Sequence, residues 1–398
     1  MMRRVPEPWR ASLRAVAVPW AASRAGALLV GYLAARVIGF DPLPVEQAAW
    51  RVSSNVLANL PARWDAYWYL DIVLHGYRWV PETPYQQNVV FFPAYPVLTR
   101  LVGTLLGEAW LLAGMTVSLA AFFLALVYLR RLALHELGEA AAQRAVWLLA
   151  AYPFAVFFGA VYTESLFLLA LAGAFTHTRL GQWGRASAWG VVLGLTRPNG
   201  WFTCLPLLCV VLAGAGPWPA WRDLRQVVGG RVAGVLRERW RGLAAAAAPV
   251  VGMLIYSAYL WWTFGRPFEW IAGQSAWGSL FSPRTPPDPK WGAVLPFRPS
   301  DLIVHAGNIA AIVFAALGAR PVWRRLGAPY GLLIATMLFP PLLAHGIVSM
   351  GRFTSVMFPL FFWLAAGPAS ARTARWVTAF AVGQAIAASL FFSWRLLV

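Results

Sequence analysis

Eleven apolar runs constrain the fold of this chain more than any other feature. They lie near residues 19–40, 110–129, 145–161, 165–178, 186–196, 200–214, 243–263, 301–318, 328–345, 353–367 and 374–393. A helix of about 20 apolar residues can cross a bilayer, and helices satisfy their own backbone there. Only 12% of the residues are charged, against about 25% in an average globular protein. The runs predict an all-α polytopic membrane protein with about 11 transmembrane helices in one integral membrane domain, 1–398.

Basic and acidic residues alternate between the segments that join these runs. Most of the 33 basic residues fall in segments 1–18, 130–144, 179–185, 215–242, 319–327 and 368–373, whereas ten of the 15 acidic residues fall in the other segments. Because arginines mark cytoplasmic loops, we expect a cytoplasmic N-terminus in a cell-membrane protein. Outer loops are then expected at 41–109 and 264–300, with a basic cytoplasmic loop at 215–242. Arginines scattered in this way also argue against a nucleic-acid partner.

The segment 63–96 is polar and aromatic, unlike the apolar runs around it. Asp65 opens an amphipathic helix that we predict over 64–76, flanked by Trp64, Trp68 and Tyr69. Acid–base chemistry on a lipid-borne substrate requires such a carboxylate beside an aromatic wall at the membrane surface. The residues fit equally well a helix N-cap within an aromatic interface belt.

Two further features of this outer loop have structural interpretations. Asp71 and His75 are one helical turn apart, and a solvated i,i+4 pair is favoured over a direct catalytic role. Residues 93–107 are apolar but contain Pro93, Pro96 and Arg100. A span there would invert every later loop, so we expect a helix along the outer surface.

Three candidates come from later parts of the chain. Glu164 lies between two apolar runs, where a carboxylate is costly unless it faces a cavity or a partner; the alternative is a cap in the first turn of the next helix. Arg197 precedes Pro198 and Asn199 in a break that we expect to line a cavity. Arg352 lies at an outer helix end. Both arginines can bind a phosphate, or instead extend to the interface.

The cysteines and histidines indicate no metal site. Cys204 and Cys209 lie inside an apolar run and are expected to be small buried apolar side chains, neither a disulfide nor a metal site. No Cys/His spacing suits structural zinc. We therefore expect no cofactor, although the sequence leaves a divalent metal open.

Four local patterns occur in order along the first half of the chain. They are Arg63-Trp64-Asp65-Ala66 running to Gly76-Tyr77, Phe91-Phe92-Pro93-Ala94-Tyr95-Pro96 with Arg100, Tyr162-Thr163-Glu164-Ser165-Leu166-Phe167, and Thr196-Arg197-Pro198-Asn199-Gly200. Beyond residue 215, Gly351-Arg352-Phe353 followed by Phe358-Pro359-Leu360 adds a weaker match. Together they resemble the PIG-V family of membrane mannosyltransferases, bacterial relatives of the enzyme that adds the second mannose to GPI anchors, in the GT-C glycosyltransferase superfamily.

The resemblance implies a GT-C-like fold with juxtamembrane helices in the first outer loop. It also implies a non-cytoplasmic active site and a polyprenyl-phosphate sugar donor. Asp65 would be the general base in an inverting displacement, Glu164 would orient the acceptor or assist, and Arg197 and Arg352 would hold the donor phosphate. The remaining substrate-binding candidates are Arg63, Trp64, Trp68, Tyr69, Asp71, His75 and Asn199. Residues 110–214 would form the conserved transmembrane half and 243–398 the variable half.

These observations favour a membrane glycosyltransferase, specifically a mannosyltransferase, that transfers a hexose to a lipid-linked or glycan acceptor, with membrane lipid as its surroundings. The alternative is a flippase or transporter of lipid-linked sugars. That class favours ionisable residues near mid-membrane and repeated halves, and the sequence has neither. A non-catalytic subunit would be expected to lack the acid at position 65, which is present.

Overall fold

The structure, a computed structural model, describes residues 9–40, 53–83, 85–213, 232–277, 299–367 and 370–395. Within these ranges the protein is built from helices and contains no strand, so the all-α prediction is confirmed. Our expectations for residues 41–52, 214–231 and 278–298, parts of the predicted outer and basic loops, lie outside the described residues.

The α-helices of the first half form the following series. In chain order they are α1 (Trp9–Val37), α2 (Val56–Asn59), α3 (Ala66–His75), α4 (Ala94–Leu105), α5 (Trp110–Leu137), α6 (Glu139–Ala151), α7 (Glu164–Arg179), α8 (Trp183–Thr196) and α9 (Cys204–Ala213). Short 3-10 helices at Asn88–Val90, Pro153–Gly159 and Pro198–Thr203 join some of them.

The second half continues the alternation of long and short helices. It contains α10 (Val232–Phe264), α11 (Glu269–Ala272), α12 (Pro299–Leu326), α13 (Ala328–His345), α14 (Met350–Ser355), α15 (Phe358–Ala365) and α16 (Ser370–Phe392), with a 3-10 helix at Gly273–Trp277 after α11.

Each of the eleven apolar runs overlaps a helix within the described residues, but the helices differ in length. Within the described residues, five are long and apolar enough to cross a membrane: Trp9–Val37, Trp110–Leu137, Arg239–Phe264, Leu302–Leu326 and Ala371–Phe392. A sixth is counted if α6 and the following 3-10 helix, bent by 80°, form one span. Shorter apolar helices cover Pro198–Ala213 and Ala328–Ala344. The first helix begins at Trp9, ten residues before the predicted start, because it continues through Pro19.

The helices run back and forth, so that arginine-rich helix ends meet at one end of the bundle. The start of α1 lies beside the end of α5, where the Arg131 guanidinium stacks on Trp9. At the same end Arg179 pairs with Glu136. Asp65, Glu164 and Arg197 lie at the opposite helix ends. Which end faces the cytoplasm stays a prediction.

Helix α7 forms the centre of the bundle. Its residues Glu164–Thr178 are all buried, and it packs against α5 and α8. Its sequence is apolar on every face, as expected for a helix surrounded by other helices. Glu164, the first residue of α7, is therefore buried between the neighbouring helices.

Helix α4 is the predicted short helix within 93–107. With 12 residues it is shorter than the roughly 20 needed for a span. Its Tyr95 hydroxyl donates to the Gly114 carbonyl over 2.9 Å, and Gly103 lies against the Trp110 ring. It therefore packs along the start of α5. Its position relative to a membrane surface stays a prediction.

The break between α6 and the following 3-10 helix is stabilised by side chains of neighbouring helices. Arg24 of α1 donates to the Ala155 carbonyl over 2.6 Å. Gln384 of α16 donates to the carbonyls of Ala150 and Tyr152 over 3.0 and 2.9 Å. Backbone groups freed by a break inside a bundle need such partners. The bend directs Phe154 towards α14, the short helix that contains Arg352.

Candidate functional site

Asp65 follows a strained turn. Trp64 has a φ of 52°, which is costly for a bulky residue. Arg63, only 2% exposed, anchors the turn by donating to the Phe392 carbonyl over 3.0 Å and stacking on the Trp394 ring at 4.8 Å. Burial lowers the pKa of Arg63 to about 9, so the group stays charged at neutral pH. The Arg63 side chain thus connects the turn to the end of α16, and it does not join the Asp65 carboxylate.

The Asp65 carboxylate is available for a role other than capping. Asp65 occupies the N-cap position of α3 but makes no side-chain capping hydrogen bond. Its Oδ2 instead accepts from Nη1 of Arg352 over 2.6 Å, and its side chain is 21% exposed. The N-cap interpretation is therefore not supported.

Glu164 begins α7 and its side chain is completely buried. Its Oε1 lies 2.8 Å from Nε of Arg352 and 3.0 Å from Nη1 of Arg197. Its Oε2 is buried without a hydrogen-bond partner among the described residues. Its place in the first turn of α7 also puts the carboxylate at the positive end of the helix dipole.

Arg197 reaches Glu164 because the chain leaves the helix at this point. The following Pro198 disfavours helical backbone at the preceding residue, and Arg197 is extended, with φ −154° and ψ 152°. Its guanidinium lies near the rings of Phe353 and Phe167, at 4.7 and 5.6 Å. The predicted break at Thr196–Gly200 is confirmed.

Arg352 is held by close packing of its own short helix. The Gly351 N–H donates to Oδ1 of Asn308 over 2.7 Å, and a β-carbon at Gly351 would overlap the Phe154 ring. Burial disfavours the charge of Arg352, but the neighbouring carboxylates of Glu164 and Asp65 outweigh it and raise its pKa. The arginine is therefore a permanent cation between two acids.

The structure thus brings Asp65, Glu164, Arg197 and Arg352 into one cluster, which we call the Asp65 cluster. Two cations balance two carboxylates, and this balance lowers the cost of burying the ions. Exposure falls from 21% at Asp65 to 10% at Arg352, 6% at Arg197 and zero at Glu164. Asp65 and Arg352 therefore form the accessible side of the cluster, with Glu164 beneath them.

The aromatic candidates surround Asp65 in different ways. Trp64 packs edge-on against Trp394 at 5.6 Å, and its indole N–H is buried without a hydrogen-bond partner in the described part of the chain. Trp68 stacks on Phe91 at 5.7 Å. Both rings are partly buried, and both belong to residues within three positions of Asp65 in the chain.

Tyr69 and Asn199 lie deeper than these rings. The Tyr69 hydroxyl is 3.2 Å from Oγ1 of Thr163, and burial raises the pKa of Tyr69, which keeps the phenol neutral. Asn199 is 6% exposed. Its amide nitrogen lies 3.5 Å from the Met337 sulfur, and its Oδ1 is buried without a partner in the described ranges.

Asp71 and His75 lie outside the Asp65 cluster. The expected hydrogen bond forms over 3.0 Å, but Asp71 is 4% exposed, so the interpretation as a solvated pair is wrong for the acid. Asp71 also accepts from Asn88 over 3.0 Å and pairs with Arg78. These bonds fasten the loop after α3 to that helix, because the Arg78 N–H in turn donates to Asn88 over 2.9 Å.

Two contacts of the cluster were not anticipated from the sequence. Tyr162 lies within the same motif as Glu164, yet its hydroxyl accepts from the Asp65 N–H over 3.1 Å. Asn308 supports Gly351 from a helix without a recognisable motif. Tyr162 could have been flagged by its place two residues before Glu164; nothing in the sequence marks Asn308.

The described residues include no group of three or more His, Cys, Asp or Glu side chains that could hold a metal ion. The cysteines Cys204 and Cys209 are free and partly buried. The absence of a cofactor stays a prediction.

A family model described as mannosyltransferase (PIG-V) matches residues 40–214. Three of the four cluster residues fall inside the match, and Arg352 lies outside it. No curated protein matches the sequence.

The solved structures similar to this chain include the oligosaccharyltransferase of Archaeoglobus fulgidus in several forms. The apo form is 14% identical with a TM-score of 0.43 over 96% of this chain and 56% of that one. The complex with Zn and sulfate is 16% identical (TM-score 0.44; 94% and 53%). The complex with an inhibitory peptide and a dolichol-phosphate is 12% identical (TM-score 0.43; 95% and 56%). This chain spans about half the length of those proteins. Over residues 40–214 it matches the family model of the PIG-V mannosyltransferases, as its motifs predicted.

Proposed function

We propose that the protein is an inverting mannosyltransferase. It takes its sugar from a polyprenyl-phosphate donor and transfers it to a hydroxyl of a lipid-linked or glycan acceptor on the non-cytoplasmic face. The observation that carries this proposal is the pairing of a partly exposed carboxylate, Asp65, with the guanidinium of Arg352 at 2.6 Å. A base and a phosphate-binding cation are thereby adjacent, as a displacement at a sugar phosphate requires.

Asp65 acts as the general base. It takes the proton of the acceptor hydroxyl while the acceptor oxygen forms a bond to the anomeric carbon. The bond between that carbon and the phosphate oxygen breaks in the same step, which inverts the configuration. Asp65 suits this role because it has the most exposed side chain of the cluster and makes no capping bond. General-base catalysis of this kind contributes about 10²–10⁴-fold.

Arg352 and Arg197 stabilise the departing polyprenyl phosphate. Negative charge grows on its oxygens as the sugar leaves, and fixed cations aimed at developing charge are an effective way to lower such a barrier. Arg352 has the more exposed side chain, at 10% against 6% for Arg197. Arg352 is therefore the direct phosphate ligand, and Arg197 contributes charge from behind it.

Glu164 positions the arginines. Its side chain is completely buried, and its Oε1 lies between the two guanidinium groups. This role differs from the orientation of the acceptor that the family resemblance implies, because the Glu164 side chain is completely buried beneath Asp65 and Arg352. A carboxylate oxygen in contact with two arginines restrains the position of both guanidinium groups.

Donor binding also frees the base. Without the donor, Oδ2 of Asp65 accepts a hydrogen bond from Nη1 of Arg352 and is occupied by that contact. A donor phosphate that competes for Arg352 loosens the Arg352–Asp65 pair and leaves Asp65 free to accept the acceptor proton. Deprotonation of the acceptor is thereby coupled to the presence of the donor.

The experiment is a transfer assay with purified protein. Radiolabelled polyprenyl-phosphate mannose is incubated with the protein and native membrane lipids, and labelled products are separated and identified. Product containing transferred mannose supports the proposal. Donor that stays intact but moves across a vesicle membrane indicates the flippase instead. Intact donor with no movement overturns the transferase proposal.

A further inference from the structure

One hydroxyl bridges the strained turn that carries Asp65. The Tyr162 hydroxyl accepts from the Asp65 N–H over 3.1 Å and donates to the Arg63 carbonyl over 3.0 Å. Between these two backbone groups lies Trp64, with its φ of 52°. A strained residue persists when its surroundings hold it in place, and here the same side-chain oxygen holds both of its flanks.

The ring of the same tyrosine supports Arg352. The guanidinium carbon of Arg352 lies 5.2 Å from the centroid of the Tyr162 ring, within the range of a cation–π contact. Tyr162 is fully buried and packs against Phe157 and Phe391 at 5.2 and 5.8 Å. Burial raises its pKa, so the phenol stays protonated and can keep donating to Arg63.

We propose that Tyr162 is a positioning residue for both members of the Asp65–Arg352 pair. Its hydroxyl fixes the turn that aims the base, and its ring fixes the guanidinium that holds the phosphate. This inference rests on the proposed function and deepens it. Tyr162 acts through Asp65 and Arg352, since the hydroxyl is fully engaged by the backbone of the turn.

The hydroxyl is tested by Tyr162→Phe, which keeps the ring. The assay measures the maximal transfer rate and the donor KM with polyprenyl-phosphate mannose. Because a misplacement of about 1 Å at a catalytic group can cost about 10²-fold, we expect the maximal rate to fall about 10- to 100-fold. Since the ring still supports Arg352, the donor KM should stay within about threefold. A purely structural loss would lower the amount of folded enzyme and leave the rate per folded molecule unchanged.

The matched control is Tyr256→Phe. Tyr256 is 1% exposed and its hydroxyl donates to a backbone carbonyl, that of Val89, over 2.8 Å. This substitution therefore removes an equally buried hydroxyl that has no contact with the Asp65 cluster. We expect a transfer rate within about twofold of wild type, since a hydroxyl outside the site should leave the reacting geometry unchanged.

The ring is tested by Tyr162→Leu, which removes both functions. We expect the donor KM to rise about tenfold in addition to the loss of rate, because the cation–π contact that supports the Arg352 guanidinium is lost. A donor KM that is unchanged in Tyr162→Leu overturns the role of the ring. If this variant does not fold, Tyr162→Phe still decides the role of the hydroxyl.

The outcomes separate the two proposals. A wild-type protein that transfers no mannose overturns the proposed function and this inference with it. An active wild type together with a Tyr162→Phe variant within about threefold of its maximal rate overturns only the positioning role. An equal loss in Tyr162→Phe and Tyr256→Phe also overturns it, because the effect would then belong to any buried hydroxyl.

Discussion

Arg352 donates to the carboxylate of Asp65 across a separation of 287 positions in the chain, over 2.6 Å. Asp65 precedes α3, whereas Arg352 belongs to the short helix α14 in the second half of the chain. The pair therefore forms only when both halves of the bundle are assembled. Residues 40–214, which match the family model, contain Asp65, the base that we propose, and the second half of the chain contains its cationic partner.

Asp65→Asn should abolish transfer and leave the protein folded. The amide keeps the size of the side chain but cannot accept the acceptor proton, so the general-base contribution of about 10²–10⁴-fold is lost. Transfer of labelled mannose measures the rate, and Glu108→Gln, an exposed acid of the same loop, is the control. A rate within about tenfold of wild type, roughly 1.4 kcal/mol, contradicts the assignment of Asp65 as the base.

Glu164→Gln should destabilise the protein as well as inactivate it. Removing one partner from a buried ionic network costs about 3–5 kcal/mol, because uncompensated charge stays buried. Replacing Arg197 by Met in the same chain should recover about 1–3 kcal/mol of that loss, since the two residues are in contact. Free energies of unfolding in detergent measure the single and double variants, with Glu82→Gln as an exposed control. If the free-energy loss of the double variant equals the sum of the losses of the two single variants, Glu164 and Arg197 do not belong to one ionic network.

Gly351→Ala should lower activity by displacing Arg352. A β-carbon at this position would overlap the Phe154 ring, and overpacking of a core costs about 1–3 kcal/mol. We expect transfer to fall by about 10²-fold, because Arg352 follows directly and a shift of about 1 Å is enough. Gly26→Ala is the control, since a β-carbon there meets nothing within 4 Å. Equal transfer rates in the two variants rule out this packing role.

The sequence predicted the elements better than their contacts. Apolar runs and loop charges located eleven helical segments, because hydrophobicity is a local property. Motifs named Asp65, Glu164, Arg197 and Arg352, since a carboxylate or guanidinium at an apolar helix end is conspicuous. The inward course of Arg63 was not predictable, because its acceptor is the carbonyl of Phe392, 329 positions away. The burial of Asp71 was not predicted either, because its partner Asn88 comes from the following loop and not from the same helix.

Asp71→Ala tests the distinction between the loop anchor and the catalytic acid. Asp71 binds His75, Arg78 and Asn88, so its removal leaves Asn88 without one of its acceptors and costs about 1–3 kcal/mol. Amide hydrogens of residues 76–90 should exchange faster, since the loop opens locally more often. Transfer should fall far less than in Asp65→Asn, because the Asp65 cluster keeps all its contacts. Hydrogen exchange and the transfer assay on the same preparation measure both effects. A loss of transfer equal to that of Asp65→Asn, with unchanged exchange in the loop, would assign Asp71 to the chemistry instead.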